Sequence, residues 1–117
     1  MSGAVVLVCG GRHYDDAAKV WLTLDALHRA GIGKVVHGGS NGADALAKAW
    51  AEARDVECVE HVAHWDKHGR AAGPIRNQAM LDLEEPDLVL AFPGGSGTLD
   101  MVTRAEKAHI AVVMVRR

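Results

Sequence analysis

The sequence predicts a three-layer α/β protein, built on a doubly wound, five-stranded and mostly parallel sheet. Three observations carry this reading. Short apolar runs without polar alternation, such as Ala4-Val5-Val6-Leu7-Val8-Cys9, read as strands buried on both faces, as parallel strands are. Segments of helical period alternate with those runs. Glycine clusters stand between strand and helix in three places, where an open α/β sheet gathers its ligand-binding loops.

The elements follow in order. After the first strand, Val20, Leu24 and Leu27 recur at helical spacing with Trp21 beside them, so a helix is expected from Asp16 to about Ala30, stopped by Gly31. Lys34 to His37 is the second strand. Gly38 to Gly42 is a loop, and a helix from about Ala43 to Arg54 places Ala43, Leu46, Ala47 and Trp50 on one face. Asn41 reads as its N-cap with Asp44 as capping partner. Val56 to Val62 is the third strand, and the polar stretch Ala63 to Gly73 reads as a long loop over the strand ends. Gly73-Pro74 opens a helix to about Leu83, with proline at the first helical position. Pro86 ends that segment, Asp87 to Phe92 is a further buried strand, Pro93 to Thr98 a glycine-rich turn, and a helix to about Ala108 leads to a last strand, Ala111 to Val115. Right-handed crossovers between such strands give helices on both faces.

Residues 1–117 are read as one domain, because two halves of this chain would each be too short to bury a core without metals or disulfides. The apolar share of 49% and charged share of 24% are those of a globular chain and exclude a disordered one. A net charge of -2 with scattered basic residues argues against duplex binding. Single-stranded DNA binding would need a basic groove with stacking aromatics, and the chain has three tryptophans, one tyrosine and one phenylalanine. Cys9 and Cys58 form no CxxC pair, which suits reduced thiols and a cytoplasmic protein. Ala4 to Cys9 is too short for a membrane span and lacks the cationic lead of a signal peptide.

The candidate site comes from the three glycine loops: Gly10-Gly11, Gly38 to Gly42 and Gly94 to Gly97. Glycines let a backbone approach a phosphate and turn N–H groups toward it, and each loop feeds a helix N-terminus, whose partial positive charge favours an anion. The expected ligand is a small nucleotide-type molecule, with no further cofactor. Arg76, placed in the first turn of its helix, needs an anionic neighbour against the helix dipole, and a ligand phosphate is favoured over a local carboxylate. Arg12 is a phosphate or ribose contact or a solvated charge. Asn77 is a base or ribose contact or a backbone cap. Thr98 is an N-cap, a phosphate donor or both. Asp44 reads as a helix-start acid, and Cys9 as a small buried hydrophobe. Trp65 either stacks on a base or packs on the sheet edge. His61, His64 and His68, with Asp66 between, lack the spacing of a zinc site, and no metal is expected.

These residues resemble the SLOG superfamily of Rossmann-like proteins, most closely its small bacterial and phage group related to YspA and cpYpsA. The matching segments are Gly10-Gly11-Arg12 with Tyr14, Gly38-Gly39-Ser40-Asn41-Gly42-Ala43-Asp44, Trp65, Ala72 to Asn77 with Met80, and Ala91 to Thr98. The resemblance implies a nucleotide phosphate held by Pro93, Gly94, Gly95, Ser96, Gly97 and Thr98, with Gly10, Gly11, Arg12, Gly39, Ser40, Asn41, Gly42 and Asn77 around it, and a homodimer. More distantly it implies N-glycosidic hydrolysis of a nucleoside monophosphate, as in the cytokinin-activating phosphoribohydrolases, whose Arg-x-x-x-Met signature matches Arg76 and Met80. Their PGGxGTxxE glutamate falls on Met101, which cannot move a proton. Asp100 lies one residue away, about 100° around the helix, and is the remaining acid beside Arg76 as a catalytic candidate. A non-catalytic nucleotide sensor is the alternative.

Overall fold

The computed structural model describes residues 3–116. Five strands, β1 (Ala4–Cys9), β2 (Ile32–His37), β3 (Glu57–Glu60), β4 (Leu88–Ala91) and β5 (Ala111–Met114), form one sheet in the order β3-β2-β1-β4-β5. Every pairing is parallel. The helices are α1 (Ala17–Ala30), α2 (Ala43–Ala53), α3 (Trp65–His68), α4 (Ala72–Glu84) and α5 (Ser96–Lys107), with one 3₁₀ turn at Gly69–Ala71.

Alternation along the central strands divides the core in two. Val6 and Val8 of β1 face α1 and α2, packing with Val20, Leu24, Val35, Ala47 and the fully buried Trp50. Leu7 and Cys9 face the other way, against Met80 and Leu81 of α4 and Met101, Val102 and Ala105 of α5. A strand lined on both sides by apolar layers has no solvent face, which is why β1 and β4 read as unbroken apolar runs.

Local signals set several boundaries. Asp16 caps α1 by accepting the Lys19 N–H at 3.0 Å, and Gly31, with φ of 117°, closes it by donating to the His28 and Leu27 carbonyls. α1 and α2 are tied together through Asp25, which accepts from Trp50 Nε1 at 2.9 Å and from Arg54 Nε and Nη2 at 2.9 and 3.0 Å, a two-pronged carboxylate contact. The Arg54 guanidinium also lies 5.0 Å from the Trp21 ring centre.

Five expectations are corrected. The stretch 63–73 is not one loop: it folds α3 and the 3₁₀ turn, elements too short for a periodic pattern to announce. Gly42, not Asn41, is the N-cap of α2, which has no side-chain cap, because Asp44 turns back to the loop. Gly95, not Thr98, is the N-cap of α5, which likewise has no side-chain cap. Since α4 starts at Ala72, Pro74 stands third rather than first, still among the positions whose N–H lacks an intrahelical acceptor. Arg76 consequently lies a full turn into α4 and not in its first turn.

From β1 the chain moves outward to β3, then crosses to the far side of β1 to enter β4. The loops leaving β1 and β4 therefore diverge to opposite faces, and a crevice opens between them. No helix among the described residues is long and apolar enough to cross a membrane.

Candidate functional site

The crevice is a cleft of about 1370 Å³ over the carboxyl ends of β1, β2 and β4. Cys9, which lines the cleft, is the register partner of Ala91, and beyond them the Gly11 N–H donates to the Pro93 carbonyl at 2.9 Å, binding the two loops where they part. Gly10, Gly11, Arg12, Ser40, Arg76, Asn77, Asp100 and every residue from Pro93 to Thr98 line the cleft, joined by Gly38 and Asp44. Gly39, Asn41 and Gly42 do not, so the structure leaves three of the expected contacts outside it. Tyr14, Trp65 and Arg70 also line it. Arg70 carries no signal in the sequence, because its segment reads as a polar loop.

The three glycine loops are not equivalent. In the loop after β2 the backbone donors are already engaged by the chain itself. Asp44 Oδ2 accepts from Gly38 N–H at 3.0 Å and from Ser40 N–H at 3.3 Å, and His37 Nδ1 accepts from Gly39 N–H at 3.0 Å. In the loop after β1, the Gly11 N–H is taken by Pro93. After β4 the situation reverses. α5 makes its first backbone bond from Leu99 N–H to the Gly95 carbonyl, and the N–H groups of Gly94, Gly95, Ser96, Gly97 and Thr98 have no hydrogen-bond partner among the described residues. They stand at the cleft wall on a helix end with its full dipole, the arrangement that receives an anion.

Arg76 spans the floor. Its Nη1 donates to the Gly38 carbonyl at 2.6 Å and its Nε to Asn77 Oδ1 at 3.0 Å. The guanidinium lies where a side chain on residue 38 would be, 2.7 Å from Cζ to an ideal Cβ, so Gly38 is required for this contact. Burial pulls the guanidinium below its ordinary pKa, opposed by the attraction of Asp44 and Asp100, and it stays charged. Asn77 Nδ2 continues the chain of bonds to Asp100 Oδ2 at 2.9 Å, which also accepts from Arg104 Nε at 2.9 Å. Partial burial pushes the Asp100 carboxyl up, but the Arg104 and Asn77 hydrogen bonds outweigh it and hold the acid below the usual range. Asp100 is thus kept ionised, as an acceptor and not as a proton donor.

Cys9, also on the cleft, is within the influence of Asp44 and Arg76. Burial first, then the Asp44 charge, push its thiol up to about 12, so it is inert packing. Met101 is fully buried in the α5 layer and does not reach the cleft. Because His37 Nδ1 accepts a hydrogen bond, its proton is on Nε2, which is sealed from solvent 3.8 Å from Glu60 Oε1 without a partner. His61 leaves the sheet edge to meet Glu84, Nε2 to Oε2 2.7 Å, and Glu84 pairs with Lys34 at 2.8 Å. Among the described residues no three His, Cys, Asp or Glu side chains gather as a metal site.

Burial raises the Asp44 carboxyl from 3.8 to about 6, and the Ser40 and Gly38 N–H groups and Arg76 offset only part of that. A raised carboxyl supports the fold below its unfolded value, and that support is lost as pH rises through about 6. Asp44→Asn, which does not titrate, is therefore expected to gain melting temperature relative to the wild type between about pH 4 and pH 7. A difference constant across that window would contradict the assignment.

An all-parallel sheet ordered β3-β2-β1-β4-β5, with a glycine-lined cleft at its switch point, defines a Rossmann-like α/β protein with its candidate ligand site at the carboxyl edge. Residues 4–68 match the model of the YspA, cpYpsA-related SLOG family. The Gene 61 protein of Mycobacterium phage D29 is 42% identical, over 92% of this chain and 93% of its own. The chain belongs to the YspA, cpYpsA-related SLOG family.

Proposed function

We propose that this protein binds a nucleotide or nucleotide-derived ligand, a nucleoside monophosphate or an ADP-ribose-like molecule, with its phosphate on the N-terminus of α5. One observation carries the reading: the run of unpartnered N–H groups from Gly94 to Thr98 at the cleft wall. The cleft exceeds the 300–1,000 Å³ of common small-molecule pockets, which suits a ligand longer than a single phosphate. Arg76 supplies the fixed cation, and the exposed Trp65 ring, laid against Gly73 at the rim, offers a flat apolar face to a base.

A second reading, a sensor that binds the same ligand without turning it over, is favoured by Met101. Its side chain is sealed in the core where the phosphoribohydrolase resemblance asks for a glutamate.

A thermal-shift panel of nucleoside monophosphates, NAD, ADP-ribose and cyclic nucleotides tests the binding reading. A ligand present at 100 times its Kd is expected to stabilise the fold by about 2.7 kcal/mol and to quench tryptophan fluorescence through Trp65. No shift with any member, and with inorganic phosphate, would count against an anion site here.

A further inference from the structure

The hydrogen bonds that hold Arg76 continue out of the cleft. Arg104 is not part of the cleft lining; it lines a separate groove of about 390 Å³ between α4 and α5, with Gln78, Thr103 and Lys107. An unbroken run of side-chain bonds joins the two places. Gln78 Nε2 donates to Asp82 Oδ1 at 3.0 Å, and Gln78 Oε1 accepts from Arg104 Nη1 at 3.0 Å. Arg104 Nε donates to Asp100 Oδ2 at 2.9 Å, the same oxygen that accepts from Asn77 Nδ2. Asn77 Oδ1 accepts from Arg76 Nε, and Arg76 Nη1 ends the run on the Gly38 carbonyl. Asn77, 4% exposed, is the joint. An amide can turn end for end, but an arginine Nε offers only a donor and an ionised carboxylate only acceptors, so a charge at each end holds this one with its oxygen toward Arg76. Its Nδ2 also donates to the Gly97 carbonyl at 3.3 Å, which ties the guanidinium to the cradle backbone.

We propose that Arg104 is a positioning residue of the anion site: from outside the cleft it fixes Asp100, Asp100 holds the Asn77 amide, and the amide aims the Arg76 guanidinium beside the α5 cradle. The inference rests on the nucleotide reading of the cleft, and it adds a point of control that touches neither the ligand nor the cleft wall. Of the two acceptors of Asn77 Nδ2, the Asp100 carboxylate is the shorter and the charged one, so it is the stronger hold. That hold depends on where the Asp100 carboxylate points. Arg104 sets the direction, being itself anchored on its far side by Gln78. Without Arg104 the carboxylate is free to turn to solvent, the amide loses its charged partner, and Arg76 loses the acceptor that fixes its Nε. An i, i+4 ion pair on a helix surface with no such role adds little to stability, and its loss leaves ligand affinity alone.

The test is a double-mutant cycle on the full chain, with AMP and ADP-ribose as probes and affinity measured by titration calorimetry in wild type, Arg104→Ala, Arg76→Ala and the double variant. Arg104→Ala is expected to bind about 2- to 30-fold more weakly, the range carried by residues that modulate a site through a network. Once Arg76 is already alanine, the same change is expected to cost less than about 2-fold, because the group it acts through is gone. Lys107→Ala, in the same groove but outside the run of bonds, is expected to keep wild-type affinity. A second readout needs no ligand: the Arg76 Nε–H signal of the ¹⁵N-labelled protein is expected to shift and exchange faster with water in Arg104→Ala, and to be partly restored in Arg104→Lys, which keeps the charge. Wild-type binding with equal affinity in Arg104→Ala overturns the inference and leaves the nucleotide reading standing, as does an equal loss in both backgrounds. No binding of either probe by the wild type removes both. If Arg76→Ala binds too weakly for the cycle, the Arg76 Nε–H signal decides, and an unchanged signal overturns the inference. If Arg104→Ala does not fold, Arg104→Gln, which also lacks the charge, takes its place in each measurement.

Discussion

Replacing Arg76 with alanine is expected to cut the ligand-dependent rise in melting temperature to about half or less while the chain still folds. Two of the five guanidinium donors are engaged, one by the Gly38 carbonyl and one by Asn77, which fixes the group and leaves the others for a ligand. A charge-assisted hydrogen bond contributes about 1.5–3 kcal/mol, so affinity should fall roughly 10- to 100-fold. The unliganded protein loses a partner for the Gly38 carbonyl as well, a cost of about 1–3 kcal/mol. Arg76→Lys keeps the charge without the planar fork and should fall between the two. Titration calorimetry with the best ligand of the panel checks this. Equal affinity in Arg76→Ala would show that the cation serves the loop and not the ligand.

Gly94→Ala is expected to damage both stability and binding. A Cβ on Gly94 would press on the Thr98 hydroxyl and come within 2.6 Å of the Gly11 nitrogen and 3.0 Å of the Gly10 carbonyl carbon. Backbone cannot yield as a side chain can, so the loops after β1 and β4 must separate, at about 1–3 kcal/mol by the usual cost of overpacking. In a chain of this size that is several degrees of melting temperature. The separation also turns the Gly94 to Thr98 N–H groups away from a common point. Gly97→Ala meets nothing within 4 Å of its added carbon and is expected to retain wild-type stability, which isolates close approach from glycine content. Similar losses in both variants would refute the crowding argument.

The layered fold was legible because both of its signals are local. β1 and β4 are unbroken apolar runs, and α1 carries its cap and its stop, Asp16 and Gly31, in the sequence itself. α3 was not legible, since four residues hold barely one helical turn. The N-caps of α2 and α5 were misplaced for one reason: a polar residue beside a glycine suggests a cap whether or not its side chain turns toward the helix. The same blindness applied to the site. Gly38 to Gly42 and Gly94 to Thr98 look alike as sequence, and both read as phosphate loops. What separates them is where Asp44 and His37 point, since each reaches back to occupy the N–H groups of the first loop. Sequence places Asp44 at a helix start, and only the packed chain turns it into a loop brace at the cleft.

The loop after β4 as the anion cradle, and not the loop after β2, is tested most directly by amide chemical shifts of the ¹⁵N-labelled protein titrated with the best nucleotide of the panel. The largest changes are expected at Gly94, Gly95, Ser96, Gly97 and Thr98, with Gly38, Gly39 and Ser40 much less affected. Large changes at Gly38 to Ser40 with Gly94 to Thr98 unmoved would contradict the account.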